Sequence, residues 1–160
     1  MLGGQQLAWF ENELTEAAGE YPLVLWVNPD PWIAVPEPGA DHWGGFPDER
    51  QRIAETIERL QFPGFLMISG DAHMLAIDDG THNTYGGNGP GFPVFHAGAL
   101  DRPGSLKGGP YSEGAVPDGG QFGVVEVIDT GAELQVRLTG RRWNGSEVMS
   151  WSFTVPGGAA

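Results

Sequence analysis

The residues with the clearest chemical character lie at 69–73, in the sequence SGDAH. This segment directly follows an apolar run, 65–68, which is typical of a strand buried on both faces. In open α/β sheets, ligands bind beyond the carboxyl ends of such strands. In extended backbone, Asp71 and His73 would point to the same side. A carboxylate and an imidazole placed together suit iron, manganese or zinc, or calcium through the oxygen alone. The same pattern also fits a turn aspartate beside a partly buried histidine.

Asn28 is the second candidate, because it ends another apolar run, 23–27. A helix that begins at Pro47 separates the two runs, so together they predict a βαβ unit with parallel, neighbouring strands. Asn28 should then lie near Asp71, at the same edge of the sheet. Its amide can coordinate a metal or hold a phosphate oxygen, but Asn28-Pro29 is equally a turn signal.

The segment 41–46, DHWGGF, combines an acid, a histidine and two aromatic residues. Asp41, His42 and Trp43 could wall a substrate pocket. They could equally form a hydrophobic staple with a capping acid before the helix. Composition alone leaves both interpretations open.

A glycine-rich stretch, 101–120, carries the basic residues Arg102 and Lys107. Loops of this length are usually functional or disordered, and a basic side chain there can clamp a phosphate. A solvated surface role is the alternative for each of them. That alternative applies also to three residues on or beside the glycine-rich loops: His82, His96 and Tyr111.

The elements around these segments predict a single α/β domain over residues 1–160. Apolar spacing predicts a helix over 5–18 that Gly19 ends, and a second helix from Pro47 to Pro63-Gly64. Short strands are expected at 74–77 and 92–95. The last 40 residues alternate apolar and polar side chains between the turn signals 129–131 and 144–145, which predicts an antiparallel β-meander.

Composition narrows the classes of function. The net charge of -13 disfavours nucleic acid and anionic membranes as partners. A phosphate ester remains a possible substrate if bound metal ions reverse the local field. The absence of cysteine excludes disulfides and thiolate chemistry. No apolar stretch reaches the ~18 residues of a membrane helix, and the N-terminus lacks a signal-peptide pattern, which leaves the compartment open.

Taken in order, these motifs resemble the PhoD-like (alkaline phosphatase D) metallophosphoesterase family. Residues 2–10 resemble its "LG..Q..WL" helix, residues 41–50 its "D.W.GY...R" segment, and residues 69–73 its "GD.H" motif. Parts of 101–123 resemble the closing segment of one bacterial subgroup. The resemblance extends over nearly the whole chain.

The resemblance implies the C-terminal part of a metallophosphoesterase-type βαβα sandwich, in which a βαβ unit is followed by the meander. It implies metal-dependent hydrolysis of phosphate mono- or diesters, with calcium and iron as the metals. Asp71 and His73 would be metal or active-site residues, and Asp41 and Trp43 would belong to the pocket edge.

Family members carry further metal-binding acids in a first half that precedes the residues matched here, and they are often exported. We therefore expect an incomplete site, to be completed by an N-terminal half or in a homo-oligomer. The alternative is a non-catalytic acidic α/β fragment, or the partner-binding half of a split protein.

Overall fold

Within residues 1–157, eight strands form two sheets, one mixed and one antiparallel. The computed structural model describes residues 1–157. The elements in chain order are α1 (Gly4–Glu20), β1 (Leu23–Asn28), a 3-10 turn (Trp43–Gly45), α2 (Pro47–Leu60), β2 (Gly64–Ser69), β3 (Leu75–Asp78), β4 (Val94–Ala97), β5 (Ala115–Val116), β6 (Gln121–Asp129), β7 (Glu133–Arg142) and β8 (Glu147–Pro156).

The mixed sheet has the strand order β1-β2-β4-β3-β5, so β1 lies at one edge and β2 lies inside. β1, β2 and β4 run parallel to one another, whereas β3 pairs antiparallel with β4 and with β5. Asn28 is the register partner of Ser69, as the predicted βαβ unit requires. The parallel prediction is therefore confirmed, and three strands end at one edge.

Both helices cover one face of this sheet. α1 buries Leu7 and Leu14, and it continues through Gly19 to Glu20, because one glycine near a helix end weakens the helix without ending it. α2 begins with a proline and two acidic residues at its positive end, as predicted, and its C-cap Gln61 is left-handed. Within residues 1–157, no helix is long and apolar enough to cross a membrane.

The meander β6–β7–β8 covers the opposite face of the mixed sheet. Seven fully or nearly fully buried side chains form this second core: Leu66, Leu75, Ile77, Phe95, Val136, Leu138 and Val155. Glycine allows the sheets to approach closely, since a Cβ atom on Gly123 would lie 2.7 Å from the Phe95 ring. The predicted meander is confirmed by both antiparallel pairings.

Two short strands begin later than the sequence predicts. Pro93 has no N–H to give to a strand ladder, and β4 accordingly begins at Val94. β3 begins at Leu75, because the backbone of His73 is left-handed (φ 54°) and the extended conformation starts only after it. The prediction of one domain over 1–160 stays a prediction, and residues 158–160 lie outside the described residues.

Candidate active site at the carboxyl edge of the parallel strands

A row of buried polar residues crosses the edge at which the parallel strands end. Asn28 on β1 is in register with Ser69 on β2, and Ser69 is in register with His96 on β4. All three residues are buried. Buried polar side chains need hydrogen-bond partners. Here those partners come from the loops that leave the same edge.

Asp71 and His73 follow the end of the internal strand β2, as predicted, but the backbone there is not extended. Both residues have φ of 54°, in the left-handed region that non-glycine residues rarely adopt. Ala72 donates its N–H to the carbonyl of Gly70 at 2.6 Å, so the chain turns sharply between β2 and β3. Two-residue alternation therefore does not apply to Asp71 and His73, because it holds only in extended backbone.

Lys107 is the basic candidate that the structure brings to this turn. Its Nζ atom lies 2.8 Å from Asp71 Oδ2, although the two residues are 36 positions apart. Both side chains are partly exposed, so a ligand can reach the pair. Arg102 also lies exposed on the glycine-rich loop, but within residues 1–157 the cation paired with Asp71 is Lys107.

Asp30 is a further acidic residue at this edge that the sequence analysis missed. Burial is the main cause that raises the pKa of its carboxyl group, and repulsion by Asp71 and Asp41 adds to the effect. Lys107 and His42 act in the opposite direction. The available signal was its place two residues after β1, where ligand-binding residues of α/β sheets gather.

Asn28 lies at the predicted edge, but both ends of its amide are engaged. Its Oδ1 atom accepts a hydrogen bond from Trp43 Nε1 at 3.2 Å, and its Nδ2 atom donates to the Asp30 carbonyl. Ser69 Oγ donates to the same carbonyl at 2.9 Å. These bonds hold residues 29–46, here called the proline-rich loop, against the sheet, and a catalytic role of Asn28 stays a prediction.

The three candidates at 41–43 have different surroundings. Trp43 is fully buried in the helix-side core. His42 Nδ1 accepts a hydrogen bond from the N–H of Gly44 at 3.0 Å and so caps the 3-10 turn. Asp41 is exposed and acts electrostatically on Asp30. This arrangement favours a structural role for Trp43 and His42, and of the three it leaves Asp41 accessible beside the candidate site.

His96 is fully buried, so the surface role considered for it from the sequence is wrong. Its Nε2 atom lies 3.2 Å from the Tyr111 hydroxyl oxygen. Burial lowers the pKa of His96 to about 4, and the Gly70 backbone and Asp71 only partly offset this effect. Burial likewise raises the pKa of Tyr111. Both side chains are therefore neutral near pH 7.

The residues present do not by themselves fit the metal centre that the resemblance implies. Within residues 1–157, no three His, Asp or Glu side chains are grouped so that they could share a metal ion. A two-metal centre needs several ligands, and Asp71 is paired with Lys107 instead. A cleft of about 740 Å³ lies at the opposite, amino ends of β2 and β4, where Phe65 and Phe92 contribute to its wall.

Comparisons with known proteins identify the fold and then the family. A solved structure described as "Structure of PhoD" superimposes with a TM-score of 0.60 at 14% sequence identity, which shows a shared fold. The match covers 96% of this chain and 33% of that chain, so this chain spans about a third of the length of the solved chain.

A family model of PhoD-like phosphatases matches residues 1–108, and the chain therefore belongs to the PhoD-like phosphatase family. A search of curated proteins finds no match. The predicted family and α/β fold are thus confirmed.

Proposed function

We propose that this chain supplies one side of a metal-dependent phosphoester hydrolase site that acts on small phosphate mono- or diesters. The observation that supports the proposal best is the pairing of Asp71 with Lys107, at 2.8 Å, beyond the carboxyl end of an internal parallel strand. Both residues belong to the part of the chain that matches the PhoD-like family. In such sheets this edge is where ligands bind.

Lys107 is the group best placed to hold a phosphate oxygen. A lysine ammonium is a compact charge with three donors on a flexible stem. It can therefore exchange its contact with one oxygen of Asp71 for a contact with an incoming anion. Asp41 and Asp30 are acidic and repel a phosphate, which limits the anion to the side of the site that Lys107 occupies. His73 and Asp71 remain the proposed metal ligands, with calcium and iron as the metals.

The remaining metal ligands must come from residues other than those described. β1 offers a place for another segment to dock, because it lies at the edge of the mixed sheet. Val27 and Leu25, on the face of β1 turned away from the helices, are 75% and 43% exposed. We propose that a PhoD-like segment, corresponding to part of the unmatched two thirds of the solved chain, pairs along this edge beside Asn28. A second copy of this chain is the alternative occupant.

A non-catalytic role is the second candidate, and the number of available ligands favours it. Two candidate ligands hold a metal ion weakly, because affinity depends on ligand number and on the ligands being pre-organised. In this case the chain would bind a partner or a single ion without turnover.

The deciding experiment measures hydrolysis of an aryl phosphate monoester and of a diester, with iron, calcium, manganese and zinc supplied in turn. We expect no robust turnover by the purified chain alone. Turnover should appear when a separately expressed N-terminal PhoD-like segment is added, and D71N and H73A should abolish it. D101N, at an exposed position, is the matched control.

Two results would contradict parts of this proposal. Robust turnover by the chain alone, lost in D71N and H73A, would mean that the site is complete in this chain or in its oligomer. Association of the two segments without turnover under any metal would favour the non-catalytic role.

A further inference from the structure

Residues 105–111, here called the strap, cross over the turn that carries the candidate ligands. Ser105 donates its N–H to the carbonyl of His73 at 3.0 Å, and its Oγ atom donates to the carbonyl of Ala72 at 2.8 Å. The strap is thus hydrogen-bonded to the main chain of the turn. The long glycine-rich loop predicted from the sequence is therefore anchored at this point.

The centre of the strap is fixed on its other side by the proline-rich loop. Gly109 donates its N–H to the carbonyl of Ile33 at 2.9 Å. Gly108 has a φ of 67°, and a Cβ atom there would lie 1.9 Å from the same Ile33 carbonyl oxygen. Only glycine permits this approach, and it holds the main chain next to Lys107 in place.

The end of the strap is attached to the sheet through one fully buried side chain, His96, and one partly buried side chain, Tyr111. The Tyr111 hydroxyl donates to the Lys107 carbonyl at 2.8 Å, and its oxygen lies 3.2 Å from His96 Nε2. His96 belongs to β4, which pairs with β2 on one side and β3 on the other. A continuous series of contacts therefore runs from the sheet to the main chain of Lys107 and on to Asp71.

We propose that His96 and Tyr111 are positioning residues for the candidate site. They hold the strap so that the Lys107 ammonium stays at the Asp71 carboxylate and is available to a phosphate. This inference rests on the proposed function, because it assigns the pair a role only if Lys107 binds the substrate anion. Neither residue is proposed to touch the reacting atoms.

The hydrogen bonds of Tyr111 predict the tautomer of His96. A tyrosine hydroxyl has one proton to donate, and in this arrangement Tyr111 donates it to the Lys107 carbonyl. Its oxygen must then accept from His96, which places the histidine proton on Nε2. His96 Nδ1 makes no hydrogen bond within residues 1–157.

Tyr111→Phe is the informative variant because it removes the hydroxyl and keeps the ring. The His96 and Tyr111 rings are 5.4 Å apart in an edge-to-face contact, and phenylalanine preserves it. If the pair only filled space, the variant would change little. Tyr85→Phe is the matched control, since Tyr85 is also a partly buried tyrosine that packs on the helix-side core.

The first measurement is amide hydrogen exchange by NMR in the full chain. We expect Tyr111→Phe to raise the exchange rates of the Ser105 and Gly109 amides at least about tenfold, while Met67 on β2 keeps its rate. His96→Gln, whose side-chain amide reaches the position of Nε2, should preserve slow exchange, whereas His96→Leu should not. Unchanged rates at Ser105 and Gly109 in Tyr111→Phe would overturn the inference.

The second measurement is the nitrogen NMR spectrum of the His96 ring, which distinguishes the two neutral tautomers. We expect the proton on Nε2 in the wild type and in Tyr85→Phe. A proton on Nδ1 would mean that Tyr111 donates to the histidine instead, and would overturn the proposed chain of contacts.

Titration with inorganic phosphate separates this inference from the proposed function. We expect Lys107→Met and Tyr111→Phe each to weaken phosphate binding several-fold relative to Tyr85→Phe. Equal affinity in the wild type and Tyr111→Phe, with loss in Lys107→Met, would overturn the positioning role and leave the proposed function standing. If no protein binds phosphate, either alone or with the N-terminal PhoD-like segment and metal added, but Tyr111→Phe still speeds exchange in the strap, the contacts hold and the proposed function fails.

Discussion

At the scale of single residues, the buried side chains of Asn28 and Ser69 at the carboxyl edge are hydrogen-bonded within the protein. Asn28 joins the sheet to Trp43 and to the Asp30 carbonyl, which fixes the first turn of the proline-rich loop. A buried donor left unpaired costs more than the net value of the bond it has lost. These hydrogen bonds therefore hold the β1 side of the edge to the proline-rich loop, whatever chemistry the edge supports.

Asn28→Ala tests whether the hydrogen bonds of Asn28 stabilise the attachment of the proline-rich loop to the sheet. The substitution leaves the Trp43 indole N–H without its acceptor, so we expect the free energy of unfolding to fall by about 2 kcal/mol. Urea denaturation of the chain measures it, and Thr84→Ala, which truncates a polar side chain at an exposed position, is the control. A loss no larger than the control's would show that Asn28 does not hold the loop.

His96 gives the second residue-scale prediction, on pH dependence. Its pKa in the folded protein is about 4, below the ordinary histidine value of 6.5. Between these two values the unfolded chain binds a proton that the folded chain does not, so stability falls as the pH falls from about 6.5 to about 4. At about 1.4 kcal/mol for each pKa unit, the loss is on the order of 3 kcal/mol.

The measurement compares the wild type with His96→Gln, which has no ionisable side chain. The difference between the two free energies of unfolding should change across that pH interval and be constant above it. A difference that does not vary with pH would contradict the prediction.

At the scale of elements, the long connection between β3 and β4 is organised by one buried carboxylate. Asp78 is fully buried, and its Oδ1 atom accepts from the N–H groups of Gly80 and His82 at 3.0 and 3.2 Å. Its Oδ2 atom accepts from His82 Nδ1 at 2.7 Å and from the Ser112 N–H at 3.0 Å. Asp78 thus anchors the loop 80–91 and Ser112, the residue that follows the strap.

Asp78→Asn should destabilise this region strongly. One oxygen becomes an NH2 group that faces other donors, so we expect a loss of about 3 kcal/mol, with faster amide exchange at Gly80 and Ser112. Calorimetry and NMR exchange measure the two effects. Asp101→Asn, an exposed carboxylate on the glycine-rich stretch, should change neither quantity.

At the scale of the whole molecule, two sheets pack face to face because glycine leaves room at their contact. Gly123 on β6 lies against the fully buried ring of Phe95. A larger side chain there must move a ring that the core encloses, and overpacking of this kind typically costs about 1–3 kcal/mol. The spacing between the sheets thus depends on residue size at this position.

Gly123→Val should therefore lower the free energy of unfolding by about 1–3 kcal/mol, as measured by urea denaturation. Glu126→Val introduces the same side chain at an exposed position of the same strand and should be close to neutral. Equal stability of the two variants would show that the meander adjusts without cost.

The sequence by itself determined the elements, because burial leaves a periodic signal. The apolar runs of β1 and β2, with a helix between them, implied parallel strands, and alternation in the last 40 residues implied the meander. The motif at 69–73 and the segment at 41–50 pointed to the family, since several weak motifs in a fixed order are more specific than any one of them. The exclusion of nucleic acid as a partner, inferred from the charge of -13, stays a prediction.

Only the tertiary structure decided which residues share the candidate site. Lys107 meets Asp71 across 36 positions, and His96 is fully buried and Tyr111 partly buried although they stand beside glycine-rich loops. Single polar residues leave no periodic trace, and the path of a loop depends on hydrogen bonds to distant main-chain atoms such as the Ile33 and His73 carbonyls. The left-handed turn at Asp71 and His73 escaped prediction for the same reason: bonds to the strap and to Gly70 accompany it, and the sequence left both an extended backbone and a turn open there.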